Sequence, residues 1–116
     1  MRDMMLELAG ALGLAIACIH GVLGETKIFA RAQITPEYAR LMTRLGWQCG
    51  ATAWFCFGAL LILAPSFNAD TARHAIIIAA SLVYAFGALA NAWGTKARHF
   101  GWAALLLVIS LSFAGW

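Results

Sequence analysis

Four long stretches without acidic or basic side chains dominate this sequence. They are residues 8–24, interrupted only by His20, and residues 45–69, 75–95 and 100–116. The hydrocarbon core of a bilayer is about 30 Å thick, so a helix that rises about 1.5 Å per residue needs roughly 17 to 20 apolar residues to cross it. The sequence therefore predicts an all-α protein whose four transmembrane helices form an up-down bundle, at about residues 4–24, 44–64, 75–94 and 100–116.

The composition indicates one membrane-embedded domain. Hydrophobic residues make up 63% of the chain and charged residues only 11%, against roughly 25% charged residues in a typical soluble domain. The predicted helices use most of the 116 residues, so we expect a single domain over residues 1–116 and no separate soluble catalytic domain. We expect the lipid bilayer to be the main partner of the chain, and we expect no nucleic acid.

Basic residues are unevenly distributed between the two ends of the predicted bundle. Cytoplasmic loops of membrane proteins are enriched in lysine and arginine. Only Arg2 and Arg73 lie at the end that holds both termini, whereas the connections at the opposite end carry six basic residues: Lys27, Arg31, Arg40, Arg44, Lys96 and Arg98. The distribution predicts that both termini lie outside the cytoplasm.

Small and polar side chains recur along three of the predicted helices. Transmembrane helices pack through such residues, because lipid tails already surround apolar side chains. We therefore expect the fourth helix, rich in leucine and valine, to be the most exposed to lipid. The stripes that predict the packed faces are Gly10, Gly13, Ala17, His20 and Gly24 in the first helix, Cys49, Thr52, Cys56 and Ala59 in the second, and Ser81, Tyr84, Ala88 and Asn91 in the third.

The depth of the polar residues predicts a cluster inside the membrane. His20, Gln48 and Asn91 each lie about one helical turn from the cytoplasmic end of their helix. Thr52 and Tyr84 lie one level deeper. Ionisable residues at membrane depth are candidates for functional sites, so we predict an intramembrane polar cluster of these five side chains.

Glu25 and His99 extend this cluster into a candidate metal site. Histidine and carboxylate ligands suit zinc or iron, so His20, Glu25 and His99 are the candidate ligands. Glu25 follows His20 by five positions, about 140° around a helix, and the two side chains share a face only if the helix ends at Gly24. The sequence leaves open whether Glu25 is a ligand or pairs with a nearby cation such as Lys27 or Arg31.

Three segments resemble a family of small, uncharacterised four-helix bacterial membrane proteins. They are "IHGVLGETKIF" at 19–29, "GWQCGATAWFCFGALLIL" at 46–63 and "RHFGW" at 98–102. Where the family pattern has a histidine after the first tryptophan, this chain has Gln48, which makes a metal ligand at that position less plausible. The resemblance implies the four-helix architecture and a bacterial inner-membrane location, in which the charge distribution predicts periplasmic termini, but it implies no activity. The matching residues are His20, Gly24, Glu25, Trp47, Trp54, Arg98, His99, Gly101 and Trp102.

The function favoured by the sequence is a structural or accessory subunit of a larger inner-membrane complex, or a homo-oligomer. The sequence favours a function other than catalysis, because no nucleophile–base pair, phosphate-binding loop or known redox motif is evident, but it leaves a lipid-modifying enzyme open. The first alternative is a metal-, haem- or quinone-binding protein that uses His20, Glu25 and His99. The second is a small transporter that works as a dimer, since four helices are too few to enclose a pore. The sequence identifies no particular cofactor or partner protein.

Overall fold

The computed structural model describes all 116 residues, and its regular structure is entirely helical. This confirms the predicted all-α, four-helix architecture. Helix α1 continues without a break into a π-helical segment, and α2 continues into a short 3₁₀ turn. The bounds are α1 Arg2–Leu23 with the π-helical segment Gly24–Phe29, α2 Glu37–Leu63 with the 3₁₀ turn Ala64–Phe67, α3 Asp70–Thr95 and α4 Gly101–Ala114.

Three of the helices are long and apolar enough to cross a membrane. Helix α4, with 14 residues, rises only about 21 Å, which is less than the roughly 30 Å of a bilayer core. It is shorter than the predicted 100–116, because Lys96 and Ala97 adopt positive φ angles in the turn before it and Gly115 ends it. The three long apolar segments are Arg2–Phe29, Glu37–Phe67 and Asp70–Thr95.

The helices are arranged in chain order around the bundle. Helix α1 packs against α2 and α4, and α3 packs against α4 and, less extensively, against α2. The molecule measures 49 × 26 × 19 Å. The connections α1–α2 and α3–α4 therefore lie at one end, which we call the connector end, and both termini lie at the other.

Glycines set the close crossing of α1 and α2. A Cβ atom at Gly58 would lie 2.9 Å from the carbonyl oxygen of Gly10 and 3.0 Å from the backbone nitrogen of Leu14. Both neighbours are backbone atoms, so only a residue without a side chain permits this approach. The predicted packed stripe of α1 is confirmed, since Gly10, Gly13, Ala17 and Gly24 are buried and His20 is half-buried.

The predicted packed face of α2 is wrong, whereas that of α3 is confirmed. Cys49, Thr52 and Cys56 are exposed on the outer surface of α2. The face that packs lies two residues away, about 200° around the helix, because Gly58 must meet α1 and Trp54 fills the interior. The buried residues are Ala51, Trp54, Gly58 and Leu61 in α2, and Ser81, Tyr84 and Ala88 among others in α3.

One arginine connects the two chain ends. The Arg73 Nη1 atom lies 2.6 Å from Oδ1 of Asp3, and its Nε donates to the carbonyl oxygen of Gly115 over 2.8 Å. Beside it, the His74 ring stacks on Trp116 with centroids 4.0 Å apart. Helix α3 is thus joined to the start of α1 and to the end of α4.

Candidate functional site

Glu25 joins the π-helical segment to α2 at the connector end. Its carboxylate makes a two-point ion pair with Arg44, at 2.5 Å from Nη2 and 3.0 Å from Nε. The Gln48 amide donates to the same carboxylate over 2.8 Å and to the carbonyl oxygen of Gly21 over 3.1 Å. The cation that pairs with Glu25 is therefore Arg44, and neither Lys27 nor Arg31.

Two tryptophans hold His20. Its ring stacks on Trp47 with centroids 4.0 Å apart and planes 6° from parallel, and it lies 4.4 Å from the Trp54 ring at a tilt of 50°. The Trp47 indole N–H donates to the carbonyl oxygen of His20 over 2.9 Å. The structure gives the His20 imidazole no hydrogen-bond partner within the chain, so its nitrogens are free to bind something else.

Asn91 and His99 organise the start of α4. The Asn91 side-chain oxygen accepts a hydrogen bond from the backbone N–H of Trp102 over 3.1 Å. This bond satisfies one of the backbone donors that every helix leaves unpaired at its N-terminus. His99 Nδ1 likewise accepts from the backbone N–H of Gly101 over 3.1 Å. Both side chains are therefore fixed through their acceptor atoms.

His20, Asn91 and His99 line one cavity, which we call the inner cavity. It has a volume of about 110 Å³ and lies between α1, α3 and α4 near the connector end. Its other walls are apolar and aromatic, with Trp54 and Leu105 among the buried ones. Of the five residues of the predicted polar cluster, the structure thus places His20 and Asn91 in one site, together with His99.

A wider opening, the α2–α3 cleft, lies on the opposite side of His20. Its volume is about 690 Å³, and it shares His20, Trp54 and Asn91 with the inner cavity. Small residues form much of its walls. A Cβ atom added to any of three of its glycines would have no neighbouring atom within 4 Å; these are Gly46, Gly50 and Gly94. These positions therefore face open space.

The other members of the predicted polar cluster lie in separate environments. Gln48 belongs with Glu25, as described above. Thr52 is exposed and donates to the carbonyl oxygen of Gln48 in its own helix over 2.9 Å. Tyr84 is fully buried and donates to the carbonyl oxygen of Trp54 over 2.8 Å, with its ring end packed in the space above Gly13. The structure thus does not gather the five side chains into one hydrogen-bonded cluster.

The candidate metal ligands are also divided. His20 and His99 line the inner cavity, whereas Glu25 is bound to Arg44 and Gln48. No group of three histidine, cysteine, aspartate or glutamate side chains lies close enough together to hold a metal ion. The geometry brings two imidazoles and an amide around an apolar space and leaves Glu25 outside it.

Sequence reasoning missed two residues of this site. Trp54 forms a wall of both openings, but in the sequence it stands out only as one of the residues that carry the resemblance. Arg44 neutralises Glu25, but it lies 19 positions away in the chain, and in the sequence it stands out only as one of six basic residues that predict the orientation. The seven-residue spacing of Trp47 and Trp54, two helical turns, was the available signal that both rings lie on one side of α2.

Comparisons with known proteins indicate no function for the chain, so only its own geometry bears on the function. No family model, curated protein or solved structure matches the chain. The resemblance drawn from the three short segments therefore stays a prediction.

Proposed function

We propose that this protein is a structural subunit of the bacterial inner membrane that assembles with a second copy of itself through α2 and α3. The α2–α3 cleft carries this proposal. It is an opening of about 690 Å³ between the two neighbouring helices that pack least extensively. A transmembrane bundle gains stability when such a space is filled by close-packed atoms, because van der Waals contact drives helix association in lipid.

The wall of the cleft on α2 suits a closely approaching helix. Gly46 and Gly50 are four residues apart and therefore lie on one face of α2. Both have open space where a side chain would be. Pairs of small residues at this spacing let two helix backbones come together in membranes. Gly46 and Gly50 make no close helix–helix contact within the chain, whereas Gly10 and Gly58 form the crossing of α1 and α2.

Helix α3 carries a ridge of large apolar side chains, of which Leu82 and Phe86 line the cleft. The ridge consists of Leu82, Phe86, Leu89 and Trp93, which are 68% to 89% exposed. Their spacing of four, three and four residues places them along one face of the helix, as in a coiled-coil seam. A projecting ridge thus lies directly beside a hollow of small residues.

This juxtaposition favours a second copy as the occupant. In a two-fold symmetric dimer both subunits contribute the same patch. The ridge of each copy can therefore fill the hollow of the other. None of the residues that line the cleft is aspartate, glutamate, lysine or arginine, so no charge opposes burial in the interface. An acyl chain or an unrelated helix in the cleft is an outcome that the following experiment distinguishes.

We expect Gly50→Leu to weaken self-association by about tenfold or more, because its side chain would overfill the contact between copies. Single-molecule photobleaching in liposomes, at several protein-to-lipid ratios, measures the dimer fraction. The matched control is Ala15→Leu, which adds the same bulk at an exposed position of α1. A wild-type chain that stays monomeric at every ratio, or equal effects of the two substitutions, would contradict the proposal.

We also propose that the connector end faces the cytoplasm, so that both termini are periplasmic. The six basic residues at the connector end support this orientation, which follows the usual bias of cytoplasmic loops and flanking helix ends. Single cysteines, Gln33→Cys at the connector end and Asn68→Cys at the opposite end, can be introduced after Cys18, Cys49 and Cys56 are replaced by alanine. In intact spheroplasts a membrane-impermeant maleimide should label only the second variant. Preferential labelling at position 33 would reverse the orientation.

A further inference from the structure

The free polar atoms around the inner cavity are mainly hydrogen-bond donors. The Asn91 oxygen and the His99 Nδ1 atom already accept hydrogen bonds from the first backbone N–H groups of α4, those of Trp102 and Gly101. The Asn91 amide nitrogen keeps two N–H groups for which the structure shows no acceptor. A neutral histidine that accepts at Nδ1 carries its hydrogen on Nε2, so His99 also offers a donor.

His20 adds the third polar group. Its imidazole has no hydrogen-bond partner in the chain, and a neutral ring offers one donor and one acceptor. No lysine, arginine, aspartate or glutamate lines the cavity. A complementary ligand is therefore uncharged and brings hydrogen-bond acceptors, because unpaired donors in an apolar environment are unfavourable.

The dimensions of the cavity restrict the ligand to a single ring. An apolar cavity of about 150 Å³ admits a benzene-sized molecule, and this one, at about 110 Å³, is open on one side. Ile19 and Phe100 line it and are also largely exposed, so the opening lies at the lipid-facing side between α1 and the start of α4. A ring can enter from the bilayer there, with its hydrocarbon substituent remaining in lipid.

We propose that the inner cavity binds the ring of an uncharged, carbonyl-bearing lipophile of the benzoquinone type. The ring would lie against Trp54, and its carbonyl oxygens would accept hydrogen bonds from Asn91 and from the histidines. The entrance to this site lies between α1 and the start of α4, whereas the proposed dimer contact lies between α2 and α3. The inference concerns binding alone.

The test uses two probes with the same decyl chain and a six-membered ring, of which only one carries carbonyl oxygens. Decyl-1,4-benzoquinone and decylbenzene are titrated into the full-length protein in nanodiscs, and empty nanodiscs correct for partition into lipid. The side-chain amide signals of Asn91 in ¹H–¹⁵N NMR spectra report binding at the cavity. We expect saturable shifts with the quinone and none with decylbenzene. Equal saturation by both probes, or no saturation by the quinone, would overturn the proposal.

Two substitutions separate the cavity from the rest of the bundle. Ala104→Phe places a ring inside the cavity that Ala104 lines, whereas Ala103→Phe adds the same ring on the exposed side of α4. Only the first should abolish quinone binding, measured by equilibrium partition, and similar affinity in both variants would refute the site. The dimer fraction should stay unchanged in both, which distinguishes failure of this inference from failure of the proposed function.

A third variant removes the amide donors and keeps the acceptor oxygen that binds α4. Asn91→Asp keeps the oxygen that accepts from Trp102 but loses both amide hydrogens. We expect quinone affinity to fall by about tenfold, the upper part of the range for one lost hydrogen bond. An unchanged affinity would show that the amide does not recognise the ligand. This variant keeps the test decisive if Ala104→Phe does not fold.

Discussion

Replacing Gly58 with leucine should abolish the folded bundle. The atoms that a side chain at this position would meet are the Gly10 carbonyl oxygen and the Leu14 nitrogen, both in the backbone of α1. Overpacking costs about 1–3 kcal/mol when neighbouring side chains can shift, but here a whole helix has to move away. Leucine has a higher helix propensity than glycine, so a loss of stability would arise from packing and not from α2 itself.

Thermal unfolding in mild detergent, followed by tryptophan fluorescence, measures this effect. The matched control is Gly46→Leu, on the same helix at a position with open space around it. We expect the control to leave the unfolding midpoint of the monomer unchanged and to weaken only self-association. A Gly58→Leu variant with a wild-type midpoint would show that α1 and α2 do not cross at these glycines.

Replacing Trp54 with alanine should have the second largest effect. The indole is buried and contacts the rings of His20 and Tyr84, and its edge fills the space next to Gly87. Substituting alanine for a buried tryptophan typically costs about 3–5 kcal/mol, through lost contacts and the cavity that remains. We expect a decrease of that size in the free energy of unfolding.

Reversible unfolding by SDS in mixed micelles gives this free energy. Trp93→Ala is the control, because the Trp93 side chain is 89% exposed and leaves no internal cavity when it is removed. If both substitutions lower the free energy of unfolding by the same amount, Trp54 does not organise the interior. An intact Trp54→Ala bundle should also show altered NMR signals for the His20 ring, which would lose one of its two aromatic neighbours.

The helices could be predicted from the sequence, because bilayer thickness imposes a minimum length on apolar runs. The packed faces of α1 and α3 followed from their small and polar stripes. The same rule failed on α2, where the inward face combines a tryptophan with a glycine. The side chain of Trp54 fits inside because Gly87, on another helix, has none. Such complementarity between distant positions is not visible in the pattern of a single segment.

The environment of Glu25 depended on local geometry that the sequence did not reveal. The prediction considered a helix that ends at Gly24, whereas the chain continues as a π-helix to Phe29. The wider turn directs the carboxylate toward α2, where Arg44 and Gln48 meet it. The predicted site therefore lost its carboxylate and kept its two histidines, and the residues that join them, Asn91 and Trp54, come from two other helices.

The contacts of Arg73 have a consequence for how the chain is completed in the membrane. This arginine is on α3, yet one of its partners is the carbonyl group of Gly115, the residue that ends α4. During synthesis the guanidinium can meet Asp3 as soon as the third helix is inserted, but its second partner arrives only once α4 has been made. This end of the bundle therefore closes only after α4 is in place, and a nascent chain truncated within α4 would be left with an arginine that is only half satisfied.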